Sequence, residues 1–286
     1  MYADAWSGLS DTYLTAFEAN YFGFAEPERE TFAVMRTAAE RAVALDPQSA
    51  EAHTSLATVR WWQKDLPGAE RELRRAIALN PGYALPRWWY SALLTGTGRA
   101  EEALRESRHG LELDPFAAVA TQSYAAALFM TRQFDRCVEQ GRRGFEVNPG
   151  SAELHLTVGA CLALSGHAEE SMADMRSAIA NQPEMLESYA LLAWSQALAG
   201  HGDDARRTLR AAESMRRGRN DIGIAFAIGR AFVALGERDS AFVWLDRAEW
   251  KWLHLNSLYD PSLDPIRSDQ RFALLTARVK RELGLR

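Results

Sequence analysis

The chain has 286 residues, a hydrophobic fraction of 47% and a formal net charge of −5, so it can bury a continuous core and carries no excess of basic charge. That balance argues against general binding to nucleic acid or to an anionic membrane surface, and no apolar run approaches the ~20 residues of a membrane span. The opening Met1-Tyr2-Ala3-Asp4-Ala5-Trp6 lacks the basic region and long apolar stretch of a secretory signal, and two cysteines make no disulfide framework, so a reducing, cytoplasmic setting fits best.

Five prolines set the frame. Pro47, Pro81, Pro115, Pro149 and Pro183 fall at a constant interval of 34 residues, each behind an acidic or amide residue. Such periodicity predicts a repeat architecture, in which each unit buries its apolar face only against its neighbours. Ahead of Pro47 the first unit is too long for the period. Its excess lies around Thr15 to Thr31, with Phe17, Tyr21, Phe22 and Phe24 before Pro27. An extended helical hairpin is expected there, each helix gaining nearly two turns and Pro27 opening the second.

The regular unit is read most easily between Ser49 and Pro81. Ala52, Leu56, Ala57 and Val59 share one helical face; Gln63 to Gly68 interrupts it, and Pro67 suits the first turn of a new helix. Ala69, Leu73, Ala76, Ile77 and Leu79 form the second apolar face. Pro81 then closes the unit, because proline disfavours helix in the residue before it. Small residues recur at the helix crossings: Ala57, Ser91, Ala125, Gly159, Ala193 and Gly229 in the first helices, Ala69, Ala103, Cys137, Ser171, Ala205 and Ala241 in the second. Cys137 at such a position predicts a buried, inert thiol; the lesser reading is a redox pair with Cys161, which lies in the next helix. The second helix of repeat four also carries Gly141 and Gly144, which by propensity weaken it unless close packing compensates.

Beyond Pro183 two further units lack the closing proline. Asp260-Pro261 and Asp264-Pro265 are turn signals, and Ser268 or Asp269 can cap a last helix running to about Leu283. Phe272, Leu275, Val279 and Leu283 make its apolar stripe, with Arg278, Lys280, Arg281 and Glu282 facing water.

The 34-residue period, the small-residue positions and the closing proline together resemble tetratricopeptide (TPR) repeats. Trp6-x-x-Leu9-x-x-x-Tyr13 matches the family's first-helix signature, although Ser10 stands in for its usual glycine or alanine and later repeats replace the tryptophan by His53, Arg87, Thr121, His155 and Tyr189. The resemblance implies an all-α, right-handed superhelical solenoid of about seven helix-turn-helix repeats with a C-terminal capping helix. It would form a single domain over 1–286: an extended first repeat (1–47), four regular repeats (48–183), two divergent ones (184–253), and a turn with the capping helix (254–286). The ending from Leu258 to Leu275 is similar to the tail of C-terminal repeat regions in bacterial signalling proteins, which carry a winged-helix regulator, a protein kinase or a nucleotide cyclase upstream. An N-terminal effector outside this sequence is expected on that likeness.

In this family the first helices line the concave face. The matching positions here include Trp61, Trp62, Trp88, Phe129, Met130, Trp194, Phe226 and Arg230. Aromatic and methionine side chains on such a face predict a partner surface; the same rings could instead pack between helices. Chaperone adaptors of the family hold a terminal carboxylate with cations at fixed first-helix positions. Here those positions hold Ser7, Asp11, Thr54, Thr58, Trp88, Ala92, Gln122 and Ala126, so that clamp is not expected. The basic cluster Arg206, Arg207, Arg210, Arg216, Arg217 and Arg219 is interleaved with Asp203, Asp204, Glu213 and Asp221 and reads as a solvated outer face. No histidine pair has metal-ligand spacing, and no catalytic motif is present. The expectation is a non-enzymatic protein-interaction module without cofactor, binding a peptide or partner helix in the concave groove and serving as the scaffolding or sensory part of a signalling protein. The alternative is a small-ligand sensor controlling the missing effector.

Overall fold

The computed structural model describes residues 2–19, 29–215, 223–248 and 252–282, with the side chains of 16–19, 29 and 252–255 outside the description as well. Among the described residues there are fifteen α-helices, two 3-10 segments and no strands. The helices follow the predicted pairs: α1 (Ala3–Ala19) with α2 (Arg29–Leu45), α3 (Ala50–Trp62) with α4 (Leu66–Leu79), α5 (Leu85–Gly96) with α6 (Ala100–Leu113), and α7 (Ala118–Met130) with α8 (Phe134–Val147). Next come α9 (Ala152–Leu164) with α10 (Ala168–Asn181), α11 (Leu186–Leu198) with α12 (Gly202–Met215), and α13 (Ile224–Ala234) with α14 (Arg238–Arg247). Two 3-10 segments (Trp252–Tyr259 and Pro261–Ile266) lead into α15 (Gln270–Glu282).

The chain packs as two compact units, residues 1–94 with 105–115, and 95–104 with 116–286. In the first, α1 lies on α2 and α3, and α3 on α4. Leu14, Met35, Ala39, Leu56 and Val59 form its core, with Tyr13, Phe32, Trp62 and Trp89 packed around them. In the second, the first helices form a row, α7 on α9, α9 on α11 and α11 on α13, each also packed on its own second helix.

The period acts through local chemistry. Second helices end at Leu45, Leu79, Leu113 and Val147, two residues before each proline. Ser49 accepts from the Ala52 amide at 3.0 Å and Asp65 from the Gly68 amide at 2.9 Å, capping α3 and α4, while Pro67 occupies the first turn of α4. The helix-to-helix turns need one left-handed residue each. Gly98, Gly166, Gly200 and Gly236 supply it, and Lys64 and Arg132 adopt it without glycine's freedom. At the crossings, Ala69, Ala103, Cys137, Ser171, Ala205 and Ala241 are all fully buried. The lost tryptophans are replaced by polar links from first to second helix: His53 to Glu72 at 2.7 Å, Arg87 to Glu106 at 2.7 Å and His155 to Asp174 at 2.8 Å.

The glycines of α8 serve packing. A Cβ on Gly141 would overlap the Val158 side chain, and one on Gly144 would overlap Thr121 and stand 2.8 Å from Leu154 Cδ2. Helix propensity alone favours alanine by about 1 kcal/mol, but overpacking costs about 1–3 kcal/mol. Gly141→Ala is therefore expected to lower stability in chemical denaturation, not raise it, and amide protection over 140–145 should match that of α4.

One expectation is corrected. Cys137 and Cys161 are not separate thiols: they form a disulfide between α8 and α9, both fully buried. The small-residue position turns Cys137 inward onto the next first helix, and the Cα atoms come within 6.3 Å, inside the range a disulfide spans.

The extended first hairpin is only partly described. α1 and α2 have 17 residues each, against 13 and 14 in α3 and α4, a gain of about one turn per helix within the described residues. Tyr21, Phe22, Phe24 and Pro27, and the Phe17 side chain, lie outside the described residues.

At the other end, the turn signals resolve into 3-10 segments tied by Arg267, which donates to the Leu258 and Asp260 carbonyls at 2.9 Å each and to Asp264 Oδ1 at 2.6 Å. α15 buries Phe272, Leu275 and Val279 and packs on α14; Leu283 lies outside the described residues. Arg271 bridges Asp269, at the start of α15, to Asp239 on α14. The hydrogen bonds from the Arg271 side chain and backbone hold the Asp269 carboxyl down at about 2. A depressed carboxylate stabilises the fold above its ordinary value of 3.8 and stops doing so as pH falls through its folded pKa. α15 is therefore expected to lose amide protection as pH drops from about 4 towards about 2, and Asp269→Asn should weaken that pH dependence, leaving the part carried by Asp264, whose carboxyl Arg267 and Arg132 also hold down.

Candidate functional site

The second unit contains a cleft of about 270 Å³ whose walls come from its row of first helices. Gln122, Ala126, Phe129 and Met130 of α7 form one side. Leu156, Thr157 and Ala160 of α9 and Glu187 and Leu191 of α11 form the middle, and Phe226 and Arg230 of α13 form the far side. Asn256, Ser257 and Asp260 close it from the 3-10 region. Helical spacing puts residues four apart on one face, so Gln122 with Ala126, and Phe226 with Arg230, point the same way by construction.

The cleft has an apolar wall and a polar floor. Phe129, Met130, Leu156 and Phe226 supply the apolar surface, and Phe129 is backed by the Phe134 ring at 6.0 Å. Arg230 is 5% exposed. Its guanidinium lies 4.6 Å from the centre of the Trp194 ring and 5.8 Å from that of Phe226, a favourable placement for a desolvated cation. The Asp260 carboxylate stands 3.6 Å from Arg230 Nη1 and balances its charge; its other oxygen accepts from the Ser262 amide at 2.8 Å. Arg230 Nε and Nη2 are buried without a hydrogen-bond partner. Gln122 donates through Nε2 to Thr157 Oγ1 at 2.9 Å, while its Oε1 is buried and unpartnered.

The eight candidate residues divide. Phe129, Met130, Phe226 and Arg230 share this cleft. Trp194 lies beneath it, 1% exposed, and reaches it through Arg230. Trp61, Trp62 and Trp88 belong to the first unit. Trp61 is buried edge-on against Trp89 at 5.7 Å, and Trp62 packs on the core. Trp88 is half-buried against Gly110 of α6, where a Cβ would stand 2.7 Å from the indole. Asp260, Asn256, Ser257 and Glu187 are among the cleft residues that the repeat frame missed. Asp260 carried only a turn signal, and its pairing with Arg230 arises because the second 3-10 segment packs on α13. On the outer face, Arg206 pairs with Glu237 at 2.8 Å and Arg207 with Asp204; Arg216, Arg217 and Arg219 lie outside the described residues.

No protein-family model matches the chain, and no curated protein does. Solved structures do resemble it. A tetratricopeptide repeat protein from Parabacteroides merdae superposes with a TM-score of 0.64 at 13% identity, over 95% of this chain and 99% of the other. Human IFIT1, solved as a dimer with m7Gppp-AAAA, gives 0.62 at 15% identity over 99% of this chain and 70% of its own. YrrB, a TPR protein with an unusual peptide-binding site, gives 0.50 at 16% identity over 63% of this chain and 93% of its own. At these identities the likeness is one of fold, and with the paired helices it makes the architecture TPR-like.

Proposed function

We propose that the chain is a non-catalytic protein-interaction module that seats a peptide segment or partner helix in the cleft of the second unit. The observation that carries this reading is the cleft itself, in which four successive first helices present Phe129, Met130, Leu156, Leu191 and Phe226 to one concavity. Apolar walls with a few convergent polar groups are what binding sites generally share. The peptide-binding site of YrrB, on the same fold, supports the reading by analogy. A polyanion such as the m7Gppp-AAAA of the IFIT1 structure is disfavoured, because the charge of the cleft's Arg230 is already balanced by Asp260. The bacterial signalling context, with this chain as its scaffolding or sensory part, rests on the resemblance of the C-terminal tail. The cytoplasmic setting rests on the opening residues alone, because the Cys137–Cys161 disulfide removes the support that two separate thiols gave to a reducing compartment. Among the described residues no helix is long and apolar enough to cross a membrane.

The test is a photoreactive phenylalanine placed at Phe129 and, as control, at the exposed Leu274 of α15, in cells of the source organism. A protein partner cross-linked from 129 and not from 274 is expected. Cross-linking only from 274 would contradict the reading. A small molecule retained by the purified protein, with no protein cross-link, would favour the sensor alternative, which the polar floor of Arg230 and Asp260 also suits.

A further inference from the structure

Stacked repeats touch only their neighbours, and the row α7, α9, α11, α13 follows that rule. The 3-10 region does not. Residues 95–104 and the whole 3-10 region belong to the second unit. Within it, Tyr259 lies on the turn between α5 and α6, where a Cβ on Gly98 would stand 2.7 Å from its ring. Asp264 accepts from Arg132, in the turn between α7 and α8, at 2.9 Å from Nη2 to Oδ1, 2.8 Å from Nη2 to Oδ2 and 3.2 Å from Nε to Oδ2. The same segment packs on α13, with Leu263 and Ile266 fully buried and Asp260 beside Arg230. One short stretch therefore ties turns of the third and fourth repeats to the first helix of the seventh. The Arg132–Asp264 pair alone spans 132 residues of chain.

This tie bears on access to the cleft. Asn256, Ser257 and Asp260 of the segment line it, and the apolar wall residues Phe129, Met130, Leu156, Leu191 and Phe226 are each at most 9% exposed. A wall so covered offers a partner little surface until its cover moves. The two ends of the tie differ in strength. The seat on α13 is apolar and buried, whereas the Arg132 and Asp264 side chains are 50% and 40% exposed, and ion pairs this open are weak and screened by salt. The closed arrangement also leaves Arg230 Nε, Arg230 Nη2 and Ser262 Oγ buried without partners, a desolvation cost that water entering an open cleft would remove. We propose that the 3-10 region is a clasp that holds the cleft shut, and that release of Asp264 from Arg132 opens it to an occupant. The role given to the clasp rests on the reading of this cleft as the binding site.

The experiment measures entry directly. The chain has no cysteine besides the joined Cys137 and Cys161, so Leu191→Cys places a single free thiol in the cleft wall. Its rate of reaction with N-ethylmaleimide is followed in the otherwise native chain, with Arg132→Gln and with Tyr259→Ala, alongside amide exchange of α9 and α11. Arg132→Gln is expected to speed labelling by about fivefold, the scale of an exposed ion pair of good geometry. Moderate salt should speed the native background towards that rate and leave Arg132→Gln unchanged. Tyr259→Ala, which keeps the ion pair, should speed labelling and stay sensitive to salt. Protection of α9 and α11 should be the same throughout. Equal labelling in all three backgrounds overturns the clasp. So does faster labelling that comes with lost protection in α9 and α11, because that is unfolding and not opening. If Leu191→Cys does not fold, Ala126→Cys on the α7 wall carries the same comparison. Labelling needs no partner, so a failed clasp leaves the cross-link from position 129 to stand or fall by itself. If no protein cross-links there, the binding reading has failed on its own account.

Discussion

Replacing Trp194 by alanine is expected to destabilise the second unit by about 3–5 kcal/mol, the cost of removing a large aromatic ring from a packed interior. Trp194 is 1% exposed, the largest of the fully buried side chains among the described residues, and its ring carries the Arg230 guanidinium 4.6 Å above it. The loss therefore reaches beyond volume. Without the ring, Arg230 loses the surface that holds it in the cleft, worth up to about 2 kcal/mol for a desolvated cation. Denaturant unfolding should show the stability change, and native-state hydrogen exchange should place it in α11 and α13, with the first unit's α1 to α3 unaffected.

The second large effect is expected from Arg230→Met. The side chains of Arg230 and Asp260 are 6% and 9% exposed. Removing one member of a buried pair leaves the other charge uncompensated, at a cost of about 3–5 kcal/mol. Methionine keeps most of the packing on Trp194 and Phe226, so the loss can be assigned to charge. Adding Asp260→Asn should restore most of the stability, because asparagine can still accept from the Ser262 amide at the start of the second 3-10 segment. The four proteins of the double-mutant cycle, compared by denaturant unfolding, measure the pair directly. Additive losses in the double variant would show that Asp260 does not neutralise Arg230.

Much of the architecture was legible because a helix crossing tolerates one residue size and a tight turn one backbone conformation. Positions such as Ala69 and Cys137, and turns such as Gly98 and Gly166, announce themselves by spacing alone. Depth was not legible. Helical spacing assigns Trp194 and Phe226 to the same kind of face, yet the first is sealed beneath Arg230 and the second lines the cleft. The period is silent on how far each helix is overlaid by its neighbours. Asp260 was hidden for a different reason. It lies in the irregular segment after the last pair, and its partner Arg230 is brought to it only by tertiary packing. The disulfide was only the lesser reading because 24 residues separate its cysteines, and their meeting depends on the rotation of α8 against α9, which no spacing rule encodes.

The central claim is that the first-helix cleft of the second unit is the binding surface. The most direct test is the affinity of the cross-linked partner for the native chain and for Phe129→Ala/Phe226→Ala, measured at low and moderate salt. Loss of an anchoring ring at a hot spot costs about 2 kcal/mol or more, so the double variant should bind at least about thirtyfold more weakly. The native affinity should change little with salt, because exposed ion pairs are the screened contribution. Full binding by the double variant, with release at moderate salt and weakening by Arg207→Glu on the outer face, would contradict the account.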